Sequence, residues 1–115
     1  MVETADAYIP ERGDIVWPQF DPRLGHEQAG RRPALVISPR LYNNKVGLVI
    51  LCTITTKAKG YPFEVEIPDG LKVTGVILAD QVKSLDWRVR QAQFACKAPP
   101  GVVAEVQAKI QVLIF

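Results

Sequence analysis

Proline and glycine cut this chain into short apolar runs, and that punctuation limits the folds open to it. The runs lie at residues 13–20, 33–38, 46–56, 62–67, 73–82 and 88–98, and most are rich in β-branched or aromatic residues. Such runs read as strands. Residues 46–56 form the longest β-branched run and are predicted to be a central strand. Residues 33–38 are continuously apolar and are expected to be buried on both faces. In the first strand Ile15 and Trp17 share one face and Val16 takes the other. Pro18 lacks an N–H, so that strand is expected at a sheet edge or bulged there. Residues 62–67 alternate strictly, which points Phe63, Val65 and Ile67 inward and Glu64 and Glu66 to solvent. Gly75 interrupts the fifth run, Ser84-Leu-Asp-Trp87 reads as a tight corner, and Arg88 and Arg90 fall on one side of the last strand.

Two helices complete the pattern. Ser38-Pro39 carries a start signal, Ser as cap and Pro at the first position, for about one turn over residues 40–44 before Gly47 ends it. Pro99-Pro100 opens the longer helix, residues 101–113, with Val103, Val106, Ile110 and Leu113 at helical spacing. Short strands with one terminal helix predict a mainly β fold, a small, strongly bent sheet or barrel with the helix packed against it. The 115 residues are expected to form a single domain, with residues 1–10 as a loose N-terminal leader.

Between the first two strands lies a connection longer than most, and long connections are often functional. It contains the only histidine, His26, beside Glu27, and the glycines Gly25 and Gly30. Charge is also unevenly spread. Residues 23–59 carry seven basic side chains (Arg23, Arg31, Arg32, Arg40, Lys45, Lys57, Lys59) against Glu27 alone. That segment is +6 within a chain of net charge +2, the footprint expected of a polyanion site.

Several chemistries are set aside. A single histidine excludes a two-histidine nuclease, and there is no P-loop, dinucleotide fingerprint or serine elbow. Cys52 and Cys96 have no partner at ligand spacing, so no metal site is expected and both read as buried free thiols of a reducing cytosol. The N-terminus has no secretory apolar stretch, and the longest apolar run, residues 47–52, is too short to span a bilayer. A cytoplasmic protein without a membrane role is expected. What remains is Arg31-Arg32 entering one strand and Thr53-Ile-Thr-Thr56 ending another, guanidiniums and hydroxyls suited to a phosphodiester.

Taken together, the ordered motifs Gly13-Asp-Ile-Val-Trp17, Asp21-Pro22, Gly25-His-Glu-Gln28, Gly30-Arg-Arg-Pro33, Ser38-Pro39 with Tyr42-Asn-Asn44, Thr55-Thr56, Lys59-Gly-Tyr-Pro-Phe63 and Asp80-Gln-Val-Lys-Ser-Leu-Asp-Trp-Arg88 resemble the MazF/PemK (Kid) family of toxin endoribonucleases, nearest its MazF branch. The resemblance covers roughly residues 11–115. It implies an SH3-like small barrel, a homodimer, sequence-specific cleavage of single-stranded RNA such as mRNA, and inhibition by a MazE-like antitoxin with an acidic C-terminal segment. It also implies no cofactor. Arg32 matches the family's catalytic arginine and Thr55 its catalytic threonine, while Glu27 matches a loop glutamate implicated in activity. His26 and Asp80 match residues used in the Kid branch. Leu78 stands where that branch has an arginine, and Thr53 replaces a frequent proline.

The chemistry so implied is metal-independent attack of the ribose 2′-OH on its own phosphate, leaving a 2′,3′-cyclic phosphate and a 5′-OH. Arg32 and Thr55 would stabilise the charged transition state, and the base is His26 or Glu27. Arg31, Arg23, Gln28, Lys57, Lys59 and Asp80 are expected to contact RNA. An acidic antitoxin segment would compete for the same groove and displace the loop at residues 25–30. The alternative is a non-catalytic topoisomerase (gyrase) poison of the same fold; that branch lacks the Arg/Thr pair and uses a Trp-containing C-terminus, whereas this chain ends Val-Leu-Ile-Phe. A plain RNA-binding barrel would explain the basic segment but not the threonines.

Overall fold

The computed structural model describes residues 7–18 and 32–115. Six strands and two helices follow in the order β1 (Asp14–Trp17), β2 (Ala34–Val36), α1 (Arg40–Val46), β3 (Leu48–Thr55), β4 (Glu64–Glu66), β5 (Val76–Asp86), β6 (Gln93–Lys97) and α2 (Pro100–Ile114). The strands form one antiparallel sheet in the order β4-β5-β3-β2-β1-β6. Among the described residues the ladder is open, with β4 and β6 at its ends. The expected mainly β architecture with a C-terminal helix is what the chain adopts.

Alternation along the strands sorts the apolar residues into two clusters. Ile15, Leu35, Cys52, Ile54, Val65, Ile77 and Val106 belong to one, with Trp17, Val102, Val103 and Ile110 against it. Val16, Ala34, Val36, Val49, Leu51 and Trp87 form the other, with Tyr8 and Ile9 against it. Ile15 and Val16 are therefore both fully buried although they point opposite ways. Each fully buried aliphatic side chain of this size contributes about 1.5–3 kcal/mol relative to exposure.

Several expectations change in detail. β1 pairs on both sides, so Pro18 stops the strand rather than marking an edge. The irregularity lies instead between Ile15 and Val16, where Ala95 is the extra residue opposite. Helix α1 makes two turns, and Pro39, not Ser38, is its N-cap residue. The Ser38 hydroxyl is committed elsewhere: it donates to Asn43 Oδ1 and accepts from the Ile50 N–H at 2.9 Å. β5 does not turn at Ser84-Leu-Asp-Trp87; it continues to Asp86, and the turn occupies residues 87–91. Arg88 and Arg90 sit in that turn, outside β6. Leu113, the last residue of the predicted helical stripe, is 49 % exposed, because the α2 residues packed on the core end at Ile110.

The leader expected to be loose is packed from Tyr8 onward. Pro10 is buried, and its carbonyl accepts from Asn43 Nδ2 at 2.8 Å. Both cysteines are free; Cys52 is buried as expected and Cys96 only half-buried. Burial first, and the charge of Asp80 second, push the Cys52 thiol up to about 12, so it stays protonated and unreactive.

Candidate active-site cleft

Register brings the two candidate catalytic residues together. β2 and β3 pair Ala34 with Thr53, and the Ile54 N–H bonds the Pro33 carbonyl at 3.0 Å. Extending that antiparallel ladder by two residues sets Arg32 across from Thr55, and the two-residue period puts both on one face. Arg32 and Thr55 indeed line one cleft of about 280 Å³, together with Lys57, Lys59, Tyr61 and Glu64, and with Leu78 and Gln81 from β5.

The β5 side of the cleft depends on a break in pairing. Cys52 pairs with Val82, yet Ile54 pairs with Ile77, so four residues of β5 face Thr53 alone. Beyond the bulge Ile77 and Val76 pair again with β3 and, on their other side, with β4, where Glu64 opposes Leu78. Gly75 then passes under the end of β3. A Cβ there would lie 2.3 Å from the Thr55 carbonyl oxygen, and its φ of +117° is one that side chains resist. The backbone of Thr55 can occupy its place only because residue 75 has no side chain.

The hydroxyl of Thr55 has a defined role in its own hydrogen bond. Its oxygen accepts from the Lys57 N–H at 3.1 Å. One of the two acceptor lone pairs is thereby occupied, and the hydroxyl proton remains available to be donated. The turn after Thr55 is held by Glu64, whose two carboxylate oxygens accept from the N–H groups of Lys59 (2.8 Å) and Gly60 (2.9 Å). Glu64 was expected to face solvent; it is half-buried and lines the cleft, whereas Glu66 is exposed as expected.

Of the seven basic residues in 23–59, five are described. Arg32, Lys57 and Lys59 converge on the cleft. Arg40 and Lys45 ride on α1, and Arg40 lines a separate cleft with Tyr8, Phe94 and Lys97. Asp80 is exposed and is not part of the lining; its neighbour Gln81 is. Arg23, His26, Glu27, Gln28 and Arg31 lie outside the described residues. Gly75, Tyr61, Gln81 and the Glu64 clamp were not marked as site residues from sequence. Tyr61 and Gln81 fall within the ordered motifs and Gly75 interrupts the fifth run, so these three carry a signal in the sequence. No three metal-ligating side chains converge among the described residues.

Residues 11–114 match the family described as PemK-like, MazF-like toxin of type II toxin–antitoxin system. The chain belongs to that family. It is 50 % identical over 107 residues to the endoribonuclease toxin MazF of Escherichia coli K12, covering 93 % of this chain and 96 % of that one. Crystal structures of MazF and of MazE-MazF from Deinococcus radiodurans both superpose with a TM-score of 0.85. The first is 53 % identical and covers 94 % of this chain and 98 % of that one. The second is 48 % identical and covers 94 % and 97 %. Membership of the MazF-like family gives the Arg32–Thr55 cleft its context: a toxin family, and relatives named as ribonucleases.

Proposed function

We propose that this chain is an endoribonuclease toxin that cleaves single-stranded RNA, mRNA included, at specific sequences and without a metal ion. One observation carries the reading: Arg32 and Thr55, distant in sequence, meet in one cleft beside Lys57 and Lys59 in a member of the MazF-like family. Relatives are named endoribonuclease. The same pair is what a non-catalytic poison of this fold would not need.

The chemistry follows from the donors present. The 2′-OH loses its proton to a base and its oxygen bonds to the adjacent phosphorus. The bond to the 5′-oxygen breaks, and that oxygen gains a proton and leaves as a 5′-OH. The phosphorane between these states concentrates negative charge on its nonbridging oxygens. A guanidinium is a permanent cation with a planar fork of donors, which suits Arg32 to hold those oxygens. Thr55, whose hydroxyl oxygen accepts from the Lys57 N–H, adds an O–H donor. His26 or Glu27 serves as base. Lys57 and Lys59, with Arg31 and Arg23, attract the flanking phosphates, and Gln28 and Asp80 make other contacts to RNA.

Control comes from a MazE-like antitoxin whose acidic C-terminal segment occupies the basic cleft and excludes RNA. The toxin works as a homodimer, and the exposed apolar end of α2 (Val112, Leu113, Ile114 and Phe115) is among the surfaces it covers. An RNA cleavage assay with end-group analysis tests the core of this. Cyclic phosphate and 5′-OH ends that persist in excess EDTA are expected. Cleavage lost to EDTA and restored by Mg²⁺ sinks the mechanism; RNA bound but never cut leaves only a binding barrel. For the antitoxin, simultaneous binding of its acidic peptide and an uncleavable RNA to one toxin dimer, each at full affinity, would rule out a shared groove.

A further inference from the structure

With RNA as the substrate proposed above, we infer that Glu64 is a positioning residue: it holds the turn after Thr55 as a preformed wall of the cleft, with Lys57 and Lys59 presented to phosphates and Tyr61 to a base. Four observations converge. Both Glu64 oxygens accept backbone N–H groups of that turn, at 2.8 and 2.9 Å. The Glu64 N–H in turn bonds the Tyr61 carbonyl at 3.2 Å, which closes the turn on itself. Gly60 has φ +82°, so the chain reverses there without strain. From the opposite side the Lys109 ammonium of α2 donates to the Pro62 carbonyl, tying the turn's far end to the long helix.

A carboxylate in a cleft that must hold a polyanion is otherwise a cost. It sits among Arg32, Lys57 and Lys59 and reduces their attraction for phosphate. Each of its two oxygens holds one backbone N–H, which makes it a strong clamp, since charge-assisted hydrogen bonds are the stronger kind. The gain is preorganisation: lysines and a ring already in place lose less freedom when RNA binds. Tyr61 is 36 % exposed, enough ring surface for a nucleobase to stack on.

The two views of Glu64 predict opposite signs. If it were only an acid beside a basic cleft, Glu64→Ala would strengthen RNA binding by raising the net positive charge. As the clamp, Glu64→Ala loosens the turn. KM for RNA is then expected to rise about tenfold, the worth of one charge-assisted hydrogen bond, while kcat changes less than about threefold because Arg32 and Thr55 stay on their strands. Glu64→Gln keeps one acceptor oxygen and is expected to recover most of the affinity. The binding arm uses an RNA with a 2′-deoxy nucleotide at the scissile position, titrated against wild type and both variants. A Glu64→Ala protein that binds this RNA as tightly as wild type, or more tightly, overturns the clamp. Amide exchange at Lys59 and Gly60 gives a readout independent of RNA: slow in wild type, fast in Glu64→Ala. If wild type fails to bind RNA, the RNA reading falls, while exchange still decides the clamp.

Discussion

Two polar clusters in this small fold use the same residue types to opposite ends. At one end of the sheet Asp14 is almost fully buried, with two hydrogen bonds on one carboxylate oxygen and an ion pair on the other. It accepts from the Tyr8 hydroxyl at 2.6 Å and the Glu11 N–H at 3.1 Å, and it meets the Lys97 ammonium at 2.7 Å. Beside it Asn43, fully buried, donates to the carbonyls of Pro10 and Ser38, and its own carbonyl accepts from Trp87 Nε1. At the other end Arg32, Lys57 and Lys59 face an open cleft, and its one described carboxylate, on Glu64, is turned to backbone N–H groups. Saturated polar groups lock the chain path; donors left facing a cavity are the ones free to bind something else. The distribution of partners, more than the residue types, separates structure from function here.

The sharpest way to break that comparison is to remove the open donors. Arg32→Ala and Thr55→Ala are each expected to lower cleavage by about a hundred- to a thousandfold, the effect of losing one preorganised transition-state donor, while circular dichroism and melting stay near wild type. Normal cleavage by either variant would mean that the open cluster is not the active site. Gly75→Ala tests whether backbone placement matters as much as the side chains. Its Cβ would meet the Thr55 carbonyl oxygen at 2.3 Å. Activity per folded molecule is expected to fall toward the Thr55→Ala level, with stability reduced by about 1–3 kcal/mol from the imposed strain. A fully active variant would mean that Thr55 tolerates displacement.

The saturated cluster should behave in the reverse manner. Asn43→Ala removes the side-chain donor to the Pro10 carbonyl and the acceptor of the Ser38 hydroxyl proton, and is expected to cost about 1–3 kcal/mol in denaturant unfolding. Specific activity of the folded fraction should hold, and a selective loss of activity would erase the distinction between the two ends. The smallest effect is one of pH. Burial, then the bond to Asp14, raises the Tyr8 hydroxyl above its ordinary 10.0; the hydrogen bond to Asp14 raises Lys97 above 10.5 despite partial desolvation. The folded state therefore holds both protons more tightly than the unfolded chain. Their contribution is complete below about pH 10 and is lost as pH rises beyond it. Melting temperature should drop across that alkaline range, and less so in Tyr8→Phe.

Local chemistry made much of this protein readable in advance. Proline and glycine placed the strand breaks, period-two alternation assigned Ile15 and Val16 to opposite faces, and Pro99-Pro100 marked the start of α2 to within a residue. Arg32 and Thr55 were named through an ordered set of motifs resembling a known family. Other features came from contacts between segments remote in sequence. Glu64 obeys the alternation yet does not face water, because the turn before β4 folds back and offers it two N–H groups. Ser38 has the chemistry of a cap, but Asn43 and the Ile50 N–H, brought alongside by packing, claim its hydroxyl. β5 runs past its predicted corner because β3 pairs with it as far as Asp86, and its bulge opposite Thr53 opens the cleft. Propensity and periodicity are properties of neighbouring residues and so can be read along the chain; register, bulges and hydrogen-bond partners across strands exist only once the sheet has formed.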